Sequence, residues 1–146
     1  MSECFITVAA LRPEEWDVNH ERQRRAAVLA FWRAPAAGDR WLDQLVGAGK
    51  ALQLRHGGFP SRWTALAADV LPMLIPLTQL SAMEPLRVHP TERELPGYKY
   101  AYMIDAKGFN LAVITGKFIW DVQLNCELIE RCPPVRVLTI DVWDAS

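Results

Sequence analysis

Hydrophobic spacing changes once along this chain, and the change dictates a mixed architecture. Before residue 76 apolar side chains recur at helical intervals, whereas from Tyr98 onward they recur at every second position. Between the two parts, Pro76, Pro85, Pro90 and Pro96 exclude long regular elements, and Glu92, Arg93 and Glu94 keep the segment wet. The expected fold is α+β in a single domain over 1–146: an N-terminal strand and about three helices within 13–75, a surface connection over 76–97, and an antiparallel β-meander over 98–144. A chain of 146 residues, 51% of them apolar, can bury such a core without disulfide or metal staples.

Local signals place the elements. Cys4 to Ala10 is short and β-branched, which reads as a strand. Pro13-Glu14-Glu15 puts a proline and acids in a first helical turn, and that helix is expected to run toward Trp32 and stop before Pro35. Gly38-Asp39 opens a second helix carrying Trp41, Leu42, Leu45, Val46 and Leu52. Pro60-Ser61 opens a third with a stripe of Trp63, Leu66, Ala67, Val70, Leu71 and Leu74, which Pro72 should kink or end. Strands follow at 98–104 and 109–114, turning at Asp105–Gly108 and Thr115–Lys117. Phe118, Trp120, Val122, Leu124, Cys126 and Leu128 then alternate along one strand, with a helix over 118–129 as the alternative, and Val135 to Trp143 closes the chain.

Charge and compartment narrow the function classes. A net charge of −1 supplies no global attraction to nucleic acid or an anionic membrane. The apolar run Ala65 to Leu77 contains Asp69 and two prolines and is too short for a bilayer. Glu3 stands where a secretory signal would be basic, and three scattered cysteines suit reduced thiols, so a cytoplasmic protein is expected.

Reaction chemistry finds little purchase. Gly47-Ala48-Gly49-Lys50 lacks the first glycine and the hydroxyl of a phosphate loop and sits within the second helical pattern. His56-Gly57-Gly58 has no serine elbow to accompany it, and Ser61 reads as a helix cap. His20, His56 and His89 lie far apart, while Cys126 and Cys132 miss zinc spacing, so neither metal nor cofactor is expected. Asp121, Glu127 and Asp141 could pair as sheet carboxylates with His56 or His89 in a small hydrolase or transferase, though a solvated sheet face explains them more simply. Arg22, Arg24, Arg25 and Arg33 spread around the first helix among acids instead of forming a nucleic-acid stripe.

Binding chemistry is better represented. Arg55, His56, Phe59, Arg62 and Trp63 gather arginine, histidine and aromatic types in one polar break, the types that anchor protein interfaces. Of the six tryptophans, Trp63 at this junction is the one expected to be partly exposed. Tyr98, Tyr100 and Tyr102, all the tyrosines of the chain, fall on one face of one strand. Together with Asp121 and Asp141, these residues are the candidate partner-binding set. A structural subunit that dimerises through the tyrosine strand is a further reading.

The segment Gly57-Gly58-Phe59-Pro60-Ser61-Arg62-Trp63-Thr64 opening an apolar helix, followed by a meander ending in Leu138-Thr139-Ile140-Asp141-Val142-Trp143-Asp144, resembles immunity proteins of bacterial polymorphic-toxin and contact-dependent inhibition systems. The resemblance spans about residues 39–75 and the last strands. It implies binding and occlusion of a cognate protein toxin inside the producing cell, with no catalysis, and it carries over no individual residue roles.

Overall fold

The computed structural model describes residues 3–35, 38–55, 60–88, 93–105 and 118–144. Its frame is one antiparallel eight-stranded sheet in the order β3-β4-β8-β1-β2-β7-β6-β5. The strands are β1 (Glu3–Ala9), β2 (Val28–Pro35), β3 (Ala51–Arg55), β4 (Ser61–Leu66), β5 (Glu84–Val88), β6 (Arg93–Asp105), β7 (Phe118–Asn125) and β8 (Val137–Asp144). Five helices join them: α1 (Pro13–Val18), α2 (Glu21–Ala27), α3 (Arg40–Gly47), α4 (Ala67–Thr78) and α5 (Cys126–Arg131). The expected α+β class and antiparallel pairing hold. The division into a helical first half and a strand-rich second half does not, because β2, β3 and β4 lie between the helices of the first half.

Each departure has a local cause. The first helix breaks at Asn19-His20 and ends at Ala27, and Val28 to Pro35 enters the sheet between β1 and β7. Leu29, Ala30, Trp32 and Ala34 are buried there, and alanines at alternate positions hide the strand rhythm that tertiary pairing enforces. The second helix stops at Gly47 because Gly49 adopts φ +73, with Gly49 N donating to Val46 O at 3.0 Å and Lys50 N to Leu45 O at 2.8 Å. This left-handed glycine turn ends the helix, so the Gly-Ala-Gly-Lys motif is a helix terminus and Leu52 belongs to β3. Ser61 begins a strand, not a helix. Helix α4 starts at Ala67, where Ala67 N and Ala68 N donate to the carbonyls of Arg136 and Pro134 at 2.8 and 2.9 Å, and it continues through Pro72 to Thr78.

The expected connection over 76–97 contains β5 and the first part of β6. Two of its prolines occupy positions a sheet tolerates, Pro85 on the outermost strand and Pro96 in an irregular stretch of β6, while Pro76 lies within α4 and Pro90 outside the described residues. Gly97 there has φ +81, and an added Cβ would lie 3.0 Å from the Glu127 side chain. Strand β7 gives way to α5 at Asn125, whose Oδ1 accepts from Leu128 N at 3.1 Å. Glu127 is therefore helical and leaves the strand face expected for it. The expected strand 109–114 and its flanking turns lie outside the described residues, apart from Asp105, which ends β6.

The sheet has two unlike faces. On the helical face, Ile6, Val8, Trp32, Leu124, Leu138 and Ile140 pack with Trp41, Leu42, Val70, Leu74 and Ile129 of α3, α4 and α5. Trp32 and Trp41 meet there with ring centroids 6.0 Å apart. Among the described residues the opposite face is crossed at one end, by α1 and α2. That crossing is fixed by a buried ion pair: Arg62 of β4 donates from Nε and Nη2 to Asp141 of β8 at 2.7 and 2.9 Å, and from Nη1 to Asp17 of α1 at 2.9 Å. Thr139 Oγ1 donates to Leu11 O at 2.7 Å beside it.

Arg62 and Asp141 are both almost fully buried, whereas the Asp17 side chain is 61% exposed. Arg62→Met strands the Asp141 carboxylate in the sheet and is expected to cost about 3–5 kcal/mol. Asp17→Ala should cost under about 1 kcal/mol, because its exposed contact is screened by water. Urea unfolding monitored by circular dichroism measures both, and comparable losses would disprove this ranking.

Candidate functional site

The open half of the uncovered face is built by register. Phe5 of β1 lies opposite Trp143 of β8 on one side and Arg33 of β2 on the other. Arg33 lies opposite Trp120 of β7, and Trp120 opposite Met103 of β6. Opposed residues of an antiparallel pair share a face. Trp143, Phe5, Arg33, Trp120 and Met103 thus form one continuous row across the sheet. Trp143 is 45% exposed, and Phe118 and Tyr102 are exposed next to the row.

A bulge in β7 delivers two of these aromatics. Phe31 pairs with Gln123 and Arg33 with Trp120, so β7 has one residue more than β2 over this interval. Asp121 absorbs the excess with φ 49, the single non-glycine residue at positive φ among those described. After the bulge Val122 and Leu124 point into the core, but before it the core residue is Ile119. Phe118 and Trp120 are thereby moved off the buried side that simple alternation gives them. Aspartate suits the position because it tolerates the left-handed region and can accept hydrogen bonds there.

Its partners hold the bulge. Arg33 Nη1 donates to Asp121 Oδ2 at 2.6 Å, and Tyr100 OH donates to Asp121 Oδ1 at 2.8 Å. Arg33 Nη2 donates to both carboxylate oxygens of Glu3 at 2.9 and 3.0 Å, and its guanidinium lies 5.8 Å from the centre of the Phe5 ring. Phe5 in turn stacks on Phe31, ring centroids 6.2 Å apart and 17° from parallel. The network joins β1, β2, β6 and β7 and holds the Phe5 ring between Arg33 and Phe31.

Beyond the row, a groove of about 360 Å³ runs between α2 and the β5–β6 hairpin. Its floor is Thr7, Phe31 and Gln123, with Val28, Leu86, Leu95 and Tyr98 among its walls. Tyr98 OH donates to Arg25 O at 3.3 Å, which ties the hairpin to α2.

The candidate partner-binding residues separate into distinct groups. Tyr100, Tyr102 and Asp121 lie in or beside the row, and Tyr98 lines the groove. Arg62, Trp63 and Asp141 are buried, Trp63 to 3%, because β4 is an interior strand and not an exposed helix start. The expectation for tryptophan exposure is therefore reversed between Trp63 and Trp143. Arg55 sits at the end of β3 and donates from Nε to Pro60 O at 2.9 Å. His56 and Phe59, like His89, lie outside the described residues. Glu3, Phe5, Arg33, Trp120 and Trp143 were not singled out from sequence, and only the strand register brings them into line.

The arginine-bound carboxylates of this face and the thiols of the core are held in states that serve catalytic chemistry poorly. Asp121 and Asp141 are each engaged by an arginine. The carboxyl of Asp121 is held below its ordinary range, first by the Arg33 hydrogen bond and against the opposing effect of burial. A general acid needs the opposite shift. Burial pushes the Cys4 thiol up to about 12, and it also raises Cys126 and Cys132, whereas a nucleophilic cysteine needs its thiolate. Among the described residues no group of His, Cys, Asp and Glu is arranged to hold a metal, and no helix is long and apolar enough to cross a membrane. No protein family, curated protein or solved structure matches the chain.

The Asp121–Tyr100 contact sets a pH window. Asp121 has its folded pKa lowered from 3.8, so its contribution to stability is present above that value and is lost as pH falls through the folded pKa. Tyr100 is raised from 10.0, first by burial and then by the Asp121 hydrogen bond, so its contribution is lost as pH rises through the folded value. The stability gap between the parent protein and Asp121→Asn should therefore be widest near neutrality and shrink in acid below pH 3.8. Urea midpoints across that range test this, and a gap independent of pH would refute it.

Proposed function

We propose that this protein is a non-catalytic protein-binding module whose contact surface is the open half of the sheet. The observation that carries the reading is the row Trp143-Phe5-Arg33-Trp120-Met103, laid across neighbouring strands. Tryptophan, phenylalanine, methionine and arginine are the residue types enriched at protein interfaces. Adjacent strands lie about 4.8 Å apart, so the row extends about 19 Å, the scale of an interface centre and too long for a single side-chain contact. Arg33, held by its carboxylates, lies over the Phe5 ring, and an ordered ring lowers the entropy lost on association.

Within this class, a toxin-neutralising immunity protein is the reading we favour. A tight inhibitor works by covering its target with a patch that loses water on binding, and this face offers exposed aromatic and arginine side chains of the kind that anchor such a contact. The sequence resemblance of 57–64 and the last strand to immunity proteins motivates the reading, although Ser61–Leu66 forms β4 and the apolar helix begins only at Ala67. The candidate partner is the product of the gene immediately upstream.

Co-expression of the two proteins followed by calorimetry tests the proposal. Trp143→Ala or Trp120→Ala should weaken binding by at least about 30-fold, the scale of a hot-spot truncation. Val18→Ala, exposed on α1 away from the row, should leave affinity unchanged. Affinity indifferent to both tryptophans would remove the open face from consideration, and a failure of the pair to associate would remove that partner.

A further inference from the structure

Strand β6 outruns its outer neighbour. Pairing of β5 with β6 goes no further than Glu84 opposite Tyr100, whereas β6 continues to Asp105 beside β7. At this step lies a hollow of about 380 Å³, lined by Ala82, Glu84, Tyr100, Ala101, Tyr102 and Met103. Met103 also ends the aromatic row, so the hollow and the row are continuous. Glu84 lies opposite Tyr100, Tyr100 opposite Gln123, and Gln123 opposite Phe31, which puts Glu84 on the open face.

Two of the lining side chains are phenols and one is an anion. The Tyr100 hydroxyl donates to Asp121 Oδ1 at 2.8 Å, which orients its ring, and Tyr102 is 69% exposed. Glu3 and Asp121 each hold Arg33, but among the described residues Glu84 has neither a hydrogen bond nor an ion pair. No described cation lines the hollow, and Arg87 of β5 lies opposite Glu94. A free carboxylate beside aromatic rings attracts positive charge twice over, since ring faces and carboxylate act on the same ion. Because the hollow is open to water, it favours the cation that gives up hydration most readily. An ammonium is a compact, strongly hydrated charge. A guanidinium is planar and weakly hydrated, and it can bond a carboxylate along its edge while its face lies on a ring. A quaternary ammonium could use the rings, but it has no N–H for Glu84.

On the reading that the open face is the contact surface, on which this inference rests, we propose that the hollow receives an arginine side chain of the protein partner. The guanidinium donates to the Glu84 carboxylate and lies against Tyr102. It fastens the partner at the Met103 end of the row, with Trp143 at the other end.

Amide NMR shifts of the isolated protein, titrated with ethylguanidinium at constant ionic strength, test the site without the partner. Saturable shifts should appear at Glu84, Tyr100, Tyr102 and Met103, and the neutral isostere ethylurea should give none. Glu84→Gln should weaken probe binding at least about tenfold. Tyr102→Ala should weaken it about two- to fivefold, and Tyr102→Phe should not. Glu94→Gln, exposed on β6 outside the hollow, should bind as the parent protein does. In the complex with the upstream gene product, Glu84→Gln should weaken association by a similar factor. Equal responses to ethylguanidinium and ethylurea, tighter binding of tetramethylammonium than of ethylguanidinium, or full affinity of Glu84→Gln for either the probe or the partner would each overturn the proposal. Failure of the two proteins to associate would count against that partner and not against the hollow, which the probe titration decides.

Discussion

Asp121 holds φ 49 in the middle of a strand, a conformation that costs a residue with a β-carbon on the order of 1–3 kcal/mol unless its surroundings enforce it. Here the surroundings are Arg33 and Tyr100, each bonded to one carboxylate oxygen. The conformation shifts the phase of β7, so that one strand contributes Val122 and Leu124 to the core and Trp120 and Phe118 to the open face. Without the shift the aromatic row would have a gap at its centre. Arg33, opposite Trp120, would lose one of its two carboxylate partners in the same stroke and keep Glu3.

The two faces use arginine for different ends. Arg62 is buried with Asp141 between interior strands and reaches Asp17. Such a pair is weak as a source of net stability, but each charge needs the other, which fixes the pairing of β4 with β8, while the exposed Asp17 adds only a modest tie from α1. Arg33 is partly exposed and lies among rings. Its Nη1 and Nη2 are engaged by Asp121 and Glu3, while its Nε is buried without a hydrogen-bond partner, and the guanidinium lies as a flat surface near Phe5. Identical side-chain chemistry thus anchors the fold at one site and shapes the contact face at another.

Much of this was legible in the sequence at the level of class and little at the level of pairing. Alternation in 98–104 and at the end of the chain, the helix-starting Pro13-Glu14-Glu15 and the apolar stripe from Ala67 all correspond to real elements. What misled was residue chemistry that helices and strands share. Val28 to Pro35 and Ser61 to Leu66 contain alanine, leucine and tryptophan at spacings a helix also accepts, and their strand state comes from neighbours far away in sequence. The site was harder still. Tyr100 and Asp121 carried a local signal, whereas Phe5, Arg33 and Trp143 become neighbours only through the pairing of β1 with β2 and β8. A bulge has no sequence mark beyond an aspartate in a strand, so the exposure of Trp120 could not be read from alternation.

An exposed aromatic row is a liability for a small protein, because contiguous apolar surface promotes indiscriminate association. The arrangement limits that liability without giving up the rings. Arg33 interrupts the row between Phe5 and Trp120, and Glu3 and Asp121 flank it, so the largest rings are separated by charge. Water can hydrate the middle of the patch while Trp143 and Met103 remain exposed at its ends. A surface of this kind rewards a partner that brackets the centre with apolar groups and respects its hydrogen bonds, and it penalises one that merely covers it with hydrocarbon, since the carboxylates would be desolvated without compensation. Selectivity of the face follows from this composition: the rings supply contact area, and the ionic centre decides which shapes can use it.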